Sequence, residues 1–514
     1  MRYLGLLAPL LLLLALLPVR AQVTPPPPRI VWAHYMHCFI LGGIEPNFQP
    51  PAAADVENFP AWPPTEQTMR PWWSARLAPL AKAGLEGVRT DFDLAQQAGL
   101  DALGLLISQS HLPNSQYASA MRRAAQVAAT HQVKLIPDLW GWTLQDTPEK
   151  MTLYGQHVKA LMDQYPDGFL KYQGKYVISL GAPLGYGRAV AQAKGTYFTE
   201  WEVARHFFDP WGGPDGFYRI LDATWDVSDL EGGWGENSDA FYQWDAAAGW
   251  GDPQNRAVAD AAVKYGKAIC WPINSTYYGG RQACESMAED LGITRLSDQW
   301  RRAISLGAPW AVVQTWNDFS EDHCITETNY RGQTLMNLTR YYADWFRAGT
   351  PPPIVQEQVF LFHHRQLVHA QLSAATIRAH NDQYHLCPTS DYLNVVTLLQ
   401  TPGQVRLRIG ETSWEVAAPA GWHEWLVYVP SDRTEAGPLR EAYNRGASSY
   451  PQSTAWRTVT VAPAIPPGRP RAGIVRGGQV AGTVVSRTDL AGEAPWQDLC
   501  MVGTMGEVRP AADR

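Results

Sequence analysis

The densest chemistry in the sequence lies in one stretch, Thr315-Trp-Asn-Asp-Phe-Ser-Glu-Asp-His323. Asp318 and Glu321 stand three apart in it, closer than any other pair among Asp138, Asp222, Asp226, Asp245, Asp318 and Glu321, the acidic residues at or after the upper ends of the apolar runs. Two carboxylates facing one pocket are what glycosidic cleavage needs: one protonated to assist the leaving oxygen, the other ionised to activate water or attack carbon. Mutual repulsion and local burial hold their pKa values apart. A pair at this spacing can equally cap a helix or hold a loop through hydrogen bonds, so its neighbours carry weight. Trp140 and Trp316 stand with Asp138, Asp222, Asp245, His34, Asn274 and Asn317 near the ends of apolar runs. Sugar rings stack an apolar face on indole and give their hydroxyls to Asp, Asn and His. These eight residues are the candidate substrate contacts, and Asp318 and Glu321 the candidate catalytic pair.

Other chemistries find less support. His34, His37 and Cys38 could imitate a metal cluster, but no second His or Cys pair has ligand spacing. Gly185-Tyr-Gly187 and Gly232-Gly233 lack the strand–helix setting of a phosphate loop, and no Gly-x-Ser-x-Gly elbow is present. No metal and no cofactor is expected. The 514 residues are 46% hydrophobic and 18% charged with net charge -7, a globular balance that argues against a basic nucleic-acid binder. Six Cys are too sparse for a disulfide scaffold.

The start of the chain sets the compartment. Arg2, the apolar run Leu4 to Leu17 and Pro18-Val-Arg-Ala21 have the shape of a cleaved secretory signal over residues 1–21. The run is short for a membrane span. The expectation is a secreted protein, extracellular or periplasmic, with no membrane partner.

The elements that must position the candidates follow a rhythm. After a Pro-rich linker at 22–28, short apolar runs read as buried parallel strands at 29–36, 101–108, 134–138, 175–180, 218–222, 239–244, 268–274 and 310–315. Helical periodicity lies between most of them: residues 115–130, the stripe Leu296, Trp300, Ala303, Ile304 before Gly307, and Leu338, Tyr341, Tyr342, Trp345 before Gly349. The helix after the fifth strand is not evident. Eight strands alternating with helices over 29–349 predict a (β/α)8 TIM barrel, with residues 41–75 inserted after strand one. Such a barrel reacts at the C-terminal ends of its strands, which keeps Asp318 and Glu321 and sets Asp101 and Asp239, which open strands, to structural work. A second Pro-rich linker at 350–355 is followed over 356–514 by short runs between Gly, Pro and Asp turns, the pattern of an antiparallel β-sandwich. Cys387 and Cys500 could tie its tail. Asn274 and Asn337 head glycosylation sequons but should stay unmodified, the first in the pocket and the second on a packed helix.

With the barrel read, the sequence resembles glycoside hydrolase family 71, the α-1,3-glucanases. Val31-Trp-Ala-His-Tyr-Met36 resembles the family's first strand, and Ala98-Gly-Leu-Asp-Ala-Leu-Gly-Leu105 its second. Tyr172-Gln-Gly-Lys-Tyr-Val-Ile-Ser179 is similar to its Tyr-Asn-Gly-Lys-Pro-Val-Ser, and Trp316-Asn-Asp-Phe-Ser-Glu-Asp-His323 to its Trp-Asn-Asp-Tyr-Gly-Glu-Ser-His. The resemblance spans about residues 30–348. It implies catalytic carboxylates at Asp318 and Glu321 and an α-1,3-glucan as polysaccharide partner. The chain departs from the pattern at Phe319, Ser320 and Asp322, at Leu180-Gly-Ala182 where a Glu is expected, and at Ile107-Ser108 where an Asn is expected. Family 99 endo-mannosidases share the barrel and a similar motif. The expected function is an endo-acting secreted glycosidase on α-1,3-glucan; the alternatives are an endo-α-mannosidase or mannanase, and a non-catalytic polysaccharide-binding protein on the same scaffold.

Overall fold

Eight apolar runs pair in parallel, and what closes them is a short contact between the third and the fourth. The structure, a computed structural model, describes residues 28–36, 84–107, 115–139, 147–181, 200–223, 230–244, 252–275, 291–318, 323–328, 330–372, 390–430, 453–494 and 501–508. The signal segment, the 41–75 insertion, Cys387 and Cys500 lie outside these residues. In chain order the first region holds β1 (Ile30–Tyr35), α1 (Gly84–Gln97), β2 (Ala102–Ile107), α2 (Ser115–Thr130), β3 (Lys134–Leu139), α3 (Pro148–Gln164), β4 (Lys171–Tyr172), β5 (Lys175–Leu180) and α4 (Trp201–Ala204). It continues with β6 (Phe217–Asp222), α5 (Trp234–Asn237), β7 (Ala240–Tyr242), α6 (Asp252–Tyr265), β8 (Ala268–Asn274), α7 (Thr294–Ser305), β9 (Trp310–Gln314) and α8 (Thr334–Ala348). The sheet runs β3-β2-β1-β9-β8-β7-β6-β5, and pairing of Asp138 with Ser179 and Leu139 with Leu180 closes the barrel. β4 is an extra hairpin strand on β5. Its turn residues Gln173 and Gly174 have φ of 53° and 79°, the left-handed pair that a two-residue hairpin favours.

Strand parity sorts the core. Trp32, Ile136, Val177, Ile220, Ala240, Cys270, Trp310 and Val312 fill the barrel, while Val31, Ala33, Leu103, Leu105 and Ile178 face the helices. Trp32 spans the interior over Gly104 and donates its indole N–H to Cys270 Sγ at 3.4 Å. A Cβ at residue 104 would stand 2.5 Å from the indole, so glycine is the residue that fits. Asp101 Oδ2 accepts from the Val31 amide at 2.8 Å and from Arg347 at 2.7 Å, and Asp239 Oδ2 accepts from the Arg219 amide at 2.8 Å. Both tie strand beginnings together, the structural work expected of them.

The second region is β10 (Gln358–His364), β11 (Gln366–Leu372), β12 (Asp391–Leu399), β13 (Gly403–Ile409), β14 (Thr412–Ala418), β15 (Gly421–Val429), β16 (Arg457–Val461), β17 (Arg471–Arg476), β18 (Gln479–Val485), β19 (Ala491–Ala494) and β20 (Met501–Glu507). A five-stranded sheet, β16-β15-β12-β10-β20, faces a four-stranded one, β14-β13-β17-β18, across a core that includes Leu361, Val395, Leu407 and Ile474. The pairings are antiparallel except β15–β16 and the two-stranded β11–β19. The outer face of the larger sheet, with Phe360, Phe362, Val396, Trp422 and Leu426, joins the hydrophobic core of the barrel's helical shell.

A buried polar knot holds that junction. Glu424 of β15 accepts from Thr294 Oγ1 at 2.8 Å, Ser297 Oγ at 2.8 Å, Asn394 Nδ2 at 3.0 Å and Arg457 Nη2 at 2.9 Å. Arg457 of β16 also reaches Asp298 at 2.9 Å and the Thr294 carbonyl at 3.0 Å. Burial pushes the Glu424 carboxyl up, and Arg457, with the two hydroxyls, outweighs it, so the group sits below the usual carboxylate range. Beside the knot, Arg301 lies over the rings of Trp345 and Trp456, 4.9 and 4.7 Å from their centroids.

Candidate active site

The polar residues that end the barrel strands form the site. His34 on β1, Asp138 on β3, Ser179 on β5, Asp222 on β6, Asn274 on β8 and Gln314 on β9 are all buried. Each lies on the interior parity of its strand, above the apolar filling, and Tyr242 of β7 joins them. Contacts run across the barrel mouth. His34 Nδ1 lies 2.6 Å from Asp138 Oδ2, and Ser179 Oγ 3.3 Å from the Tyr242 hydroxyl. Asp222 Oδ1 accepts from the Trp244 amide at 2.9 Å, and Gln314 Nε2 donates to the Gln243 carbonyl at 2.8 Å. Burial, then the charges of Asp222 and Asp138, push the Tyr242 hydroxyl well up, so it stays protonated.

Asp318 stands at the edge of this set, 7% exposed. Its amide donates to Thr315 Oγ1 at 2.8 Å, and its carbonyl accepts from the His323 amide at 3.0 Å in an antiparallel bridge. Thr315 Oγ1 in turn donates to the His323 carbonyl. Both ends of the segment that carries Glu321 are thus fixed to the barrel. His323 Nε2 lies 3.3 Å from Asn274 Oδ1. Burial, then the charges of Arg295, His34 and Arg331, hold His323 well below the usual histidine range, so it is neutral at pH 7.

Of the expected sugar contacts, the structure brings together His34, Asp138, Asp222 and Asn274. Trp140, Asp245 and the catalytic candidate Glu321 lie outside the described residues. Asn317 is placed otherwise than expected: its Oδ1 accepts from the Met36 amide at 2.7 Å and its Nδ2 donates to the Met36 carbonyl at 3.2 Å, bracing the end of β1 as a backbone strand would. Trp316 also leaves the pocket. It is 0% exposed and donates its indole N–H at 3.3 Å to Asp91 of α1, which also takes the Tyr35 hydroxyl at 2.7 Å. β9 ends at Gln314, and beyond it the alternation that would have turned Trp316 inward no longer holds. Asn337 is half-buried and donates to the Gln333 carbonyl at 3.1 Å and to Met505 Sδ at 3.1 Å, packed as expected. Ser179, Tyr242, Gln314 and His323 were not singled out from sequence. The signal available was that the strand runs end in a polar residue on the interior parity.

The assembled groups are hydroxyl-binding ones: carboxylates, amides, imidazoles and a phenol in an aromatic setting. Among the described residues no group of three or more His, Cys, Asp or Glu is placed to hold a metal ion. No helix among them is long and apolar enough to cross a membrane.

The model for glycosyl hydrolase family 71 matches residues 81–434. That span omits β1 and continues through the barrel to just past β15. No curated protein matches the chain. Among solved structures, the chain is similar to two structures of a GH99 endo-α-mannosidase from Bacteroides thetaiotaomicron, at 15% and 16% identity, over 62% of this chain and 98% of that one, with TM-score 0.43. It is also similar to GH5_18 from Bifidobacterium longum subsp. longum, at 12% identity over 55% of this chain and 78% of that one, with TM-score 0.36.

Proposed function

The chain belongs to glycosyl hydrolase family 71 and is a glycoside hydrolase; on that premise we propose that it is an exported, endo-acting enzyme that cleaves α-1,3-glucan with Asp318 and Glu321 as its two carboxylates. The observation that carries this reading is the position of Asp318. It follows β9 directly and is nearly buried, with its amide on Thr315 Oγ1 and its carbonyl on the amide of His323, whose Nε2 lies 3.3 Å from Asn274 Oδ1. The barrel's C-terminal face is where this architecture does its chemistry. One carboxylate donates a proton to the departing glycosidic oxygen, and the other attacks carbon or activates water.

Release of reducing ends from purified α-1,3-glucan, with α-1,4-glucan, α-mannan and β-glucans beside it, tests the reading. Asp318→Asn and Glu321→Gln should each lower turnover on the cleaved glycan by about 10²–10⁴-fold without loss of folding. Near-native activity in either variant would remove that residue from the chemistry, and cleavage of a mannan alone would overturn the glucan assignment. Export is tested by sequencing the N-terminus of the mature protein, expected at or next to Gln22.

A further inference from the structure

We propose that His34 and Asp138 form one unit whose unpartnered atoms seat a sugar hydroxyl pair, so that the dyad, with Trp244 beside it, is a substrate-binding element separate from the cleaving carboxylates. The proposal rests on the glycosidase reading above. It starts from an asymmetry in hydrogen bonding. His34 Nδ1 and Asp138 Oδ2 are 2.6 Å apart and both side chains are 0% exposed. Their other polar atoms, His34 Nε2 and Asp138 Oδ1, have no hydrogen-bond partner among the described residues. Buried polar atoms are nearly always satisfied, and two orphans on one dyad call for a ligand that satisfies both.

The chemistry of that ligand follows from the dyad. Contact with Asp138 places an imidazole proton on Nδ1 and leaves Nε2 for the ligand, an acceptor in the neutral ring and a donor in the charged one. Asp138 Oδ1 carries lone pairs. The unit therefore presents a carboxylate oxygen that needs a donor beside a ring nitrogen that can take either role. Neighbouring hydroxyls, each both donor and acceptor, satisfy the two atoms in either state of the ring; a carboxylate or a carbonyl offers Asp138 Oδ1 no proton. The rings of Trp32, Tyr242 and Trp244 surround the imidazole with centroids 4.8, 5.6 and 4.5 Å away. They shield the two atoms from competing water, and half-buried Trp244 stands beside them. An apolar surface next to two unpartnered polar atoms matches a pyranose ring, which has an apolar face and an edge of hydroxyls.

The test separates binding from support of the fold. In His34→Asn the side-chain amide stands where Nδ1 stood and keeps the bond to Asp138, but nothing replaces Nε2. In His34→Gln the amide reaches the Nε2 position. Steady-state kinetics are measured on α-1,3-linked glucose tetrasaccharides and on their monodeoxy analogues. His34→Asn should lose about 10- to 100-fold in kcat/KM at an unchanged melting temperature, the scale of a hydrogen bond in a charge-paired unit. His34→Gln should regain part of the loss. On the one analogue that lacks the seated hydroxyl, wild type and His34→Asn should be equal. A loss below threefold, or the same loss on every analogue, overturns the proposal. If the wild type instead cleaves another glycan, only the glucan assignment falls, and the comparison on monodeoxy analogues of that glycan decides the dyad. A wild type inert on every glycan overturns both.

Discussion

Arg457→Met cuts the knot between barrel and sandwich at its centre. Among the described residues the guanidinium supplies the one positive charge bonded to fully buried Glu424, and it is itself 1% exposed. Removing one partner of such a pair strands the other, at about 3–5 kcal/mol. Thr294, Ser297 and Asn394 still donate to Glu424, so the lower end, about 3 kcal/mol at pH 7, is expected. The sign with pH is also fixed. Natively Glu424 titrates below its unfolded value, so its contribution is present above about pH 4.5 and fades as pH falls through the folded pKa. Without Arg457, burial dominates and the folded pKa rises above the unfolded one. The variant's deficit is then largest at pH 7 and shrinks to about half near pH 4.5, where Glu424 can take a proton. Guanidinium unfolding followed by tryptophan fluorescence at both pH values gives the two deficits. A loss under about 1 kcal/mol at pH 7, or equal losses at both pH values, would refute the account of the knot.

Two further outcomes follow from buried side chains in each region. Gly104→Ala sets a methyl 2.5 Å from the buried Trp32 indole, which lies 4.8 Å from the His34 ring. It should cost about 1–3 kcal/mol in denaturant unfolding and lower kcat/KM further than a distant variant of equal stability. His363, bonded to the His364 carbonyl and to Ser486 at 2.5 and 2.6 Å, is held at about 4 by burial. A folded value below the unfolded one means stability present above pH 6.5 and lost as pH falls. About 3 kcal/mol should be gone by pH 4, and His363→Gln should flatten that part of the profile.

The barrel was legible because parallel strands buried on both faces write themselves as continuous apolar runs. The run at 175–180 became β5 with the same limits, and that at 218–222 became β6 with one residue more. The helix missing after β6 is a single turn, α5, too short to show a period. The sandwich strands are harder to place one by one, since Arg-Ala-Gly-Ile-Val-Arg of β17 and Ala-Gly-Glu-Ala of β19 carry little alternation. The site was legible by residue type at strand ends, hence His34, Asp138, Asp222 and Asn274. The pairing of His34 with Asp138 was not, since 104 positions separate them and only barrel closure brings them together. Trp316 and Asn317 were misplaced for a related reason. Sequence put them at the catalytic end, but the direction each side chain takes beyond the last strand residue is set by Asp91 and by Met36, from other elements.

The Pro-rich segment at 350–355 marks a change of architecture without marking a division of labour. Helix α7 makes the difference. Its first turns carry Thr294, Ser297 and Asp298, which hold Glu424 and Arg457 of the sandwich. On the next residue, Gln299, Oε1 accepts the Asn274 amide at 2.6 Å, and Asn274 meets His323, whose amide holds the Asp318 carbonyl. Sandwich, helix and candidate catalytic segment are therefore joined by direct contacts. Trp422 of β15 stacks on Tyr341 of α8 at 5.3 Å, so a barrel ending at Gly349 would expose that ring and its neighbours Tyr342 and Trp345. Uncovering such a surface costs about 25 cal/mol for each Å² of apolar area returned to water, and Asp298 loses its guanidinium at the same time. The truncated chain 22–349 should be recovered mainly as aggregate, and any soluble fraction should melt well below the full chain and cleave glycan poorly. A soluble 22–349 fragment with the melting temperature and specific activity of the whole protein would show that the barrel stands alone and that the contacts through α7 carry nothing to the site.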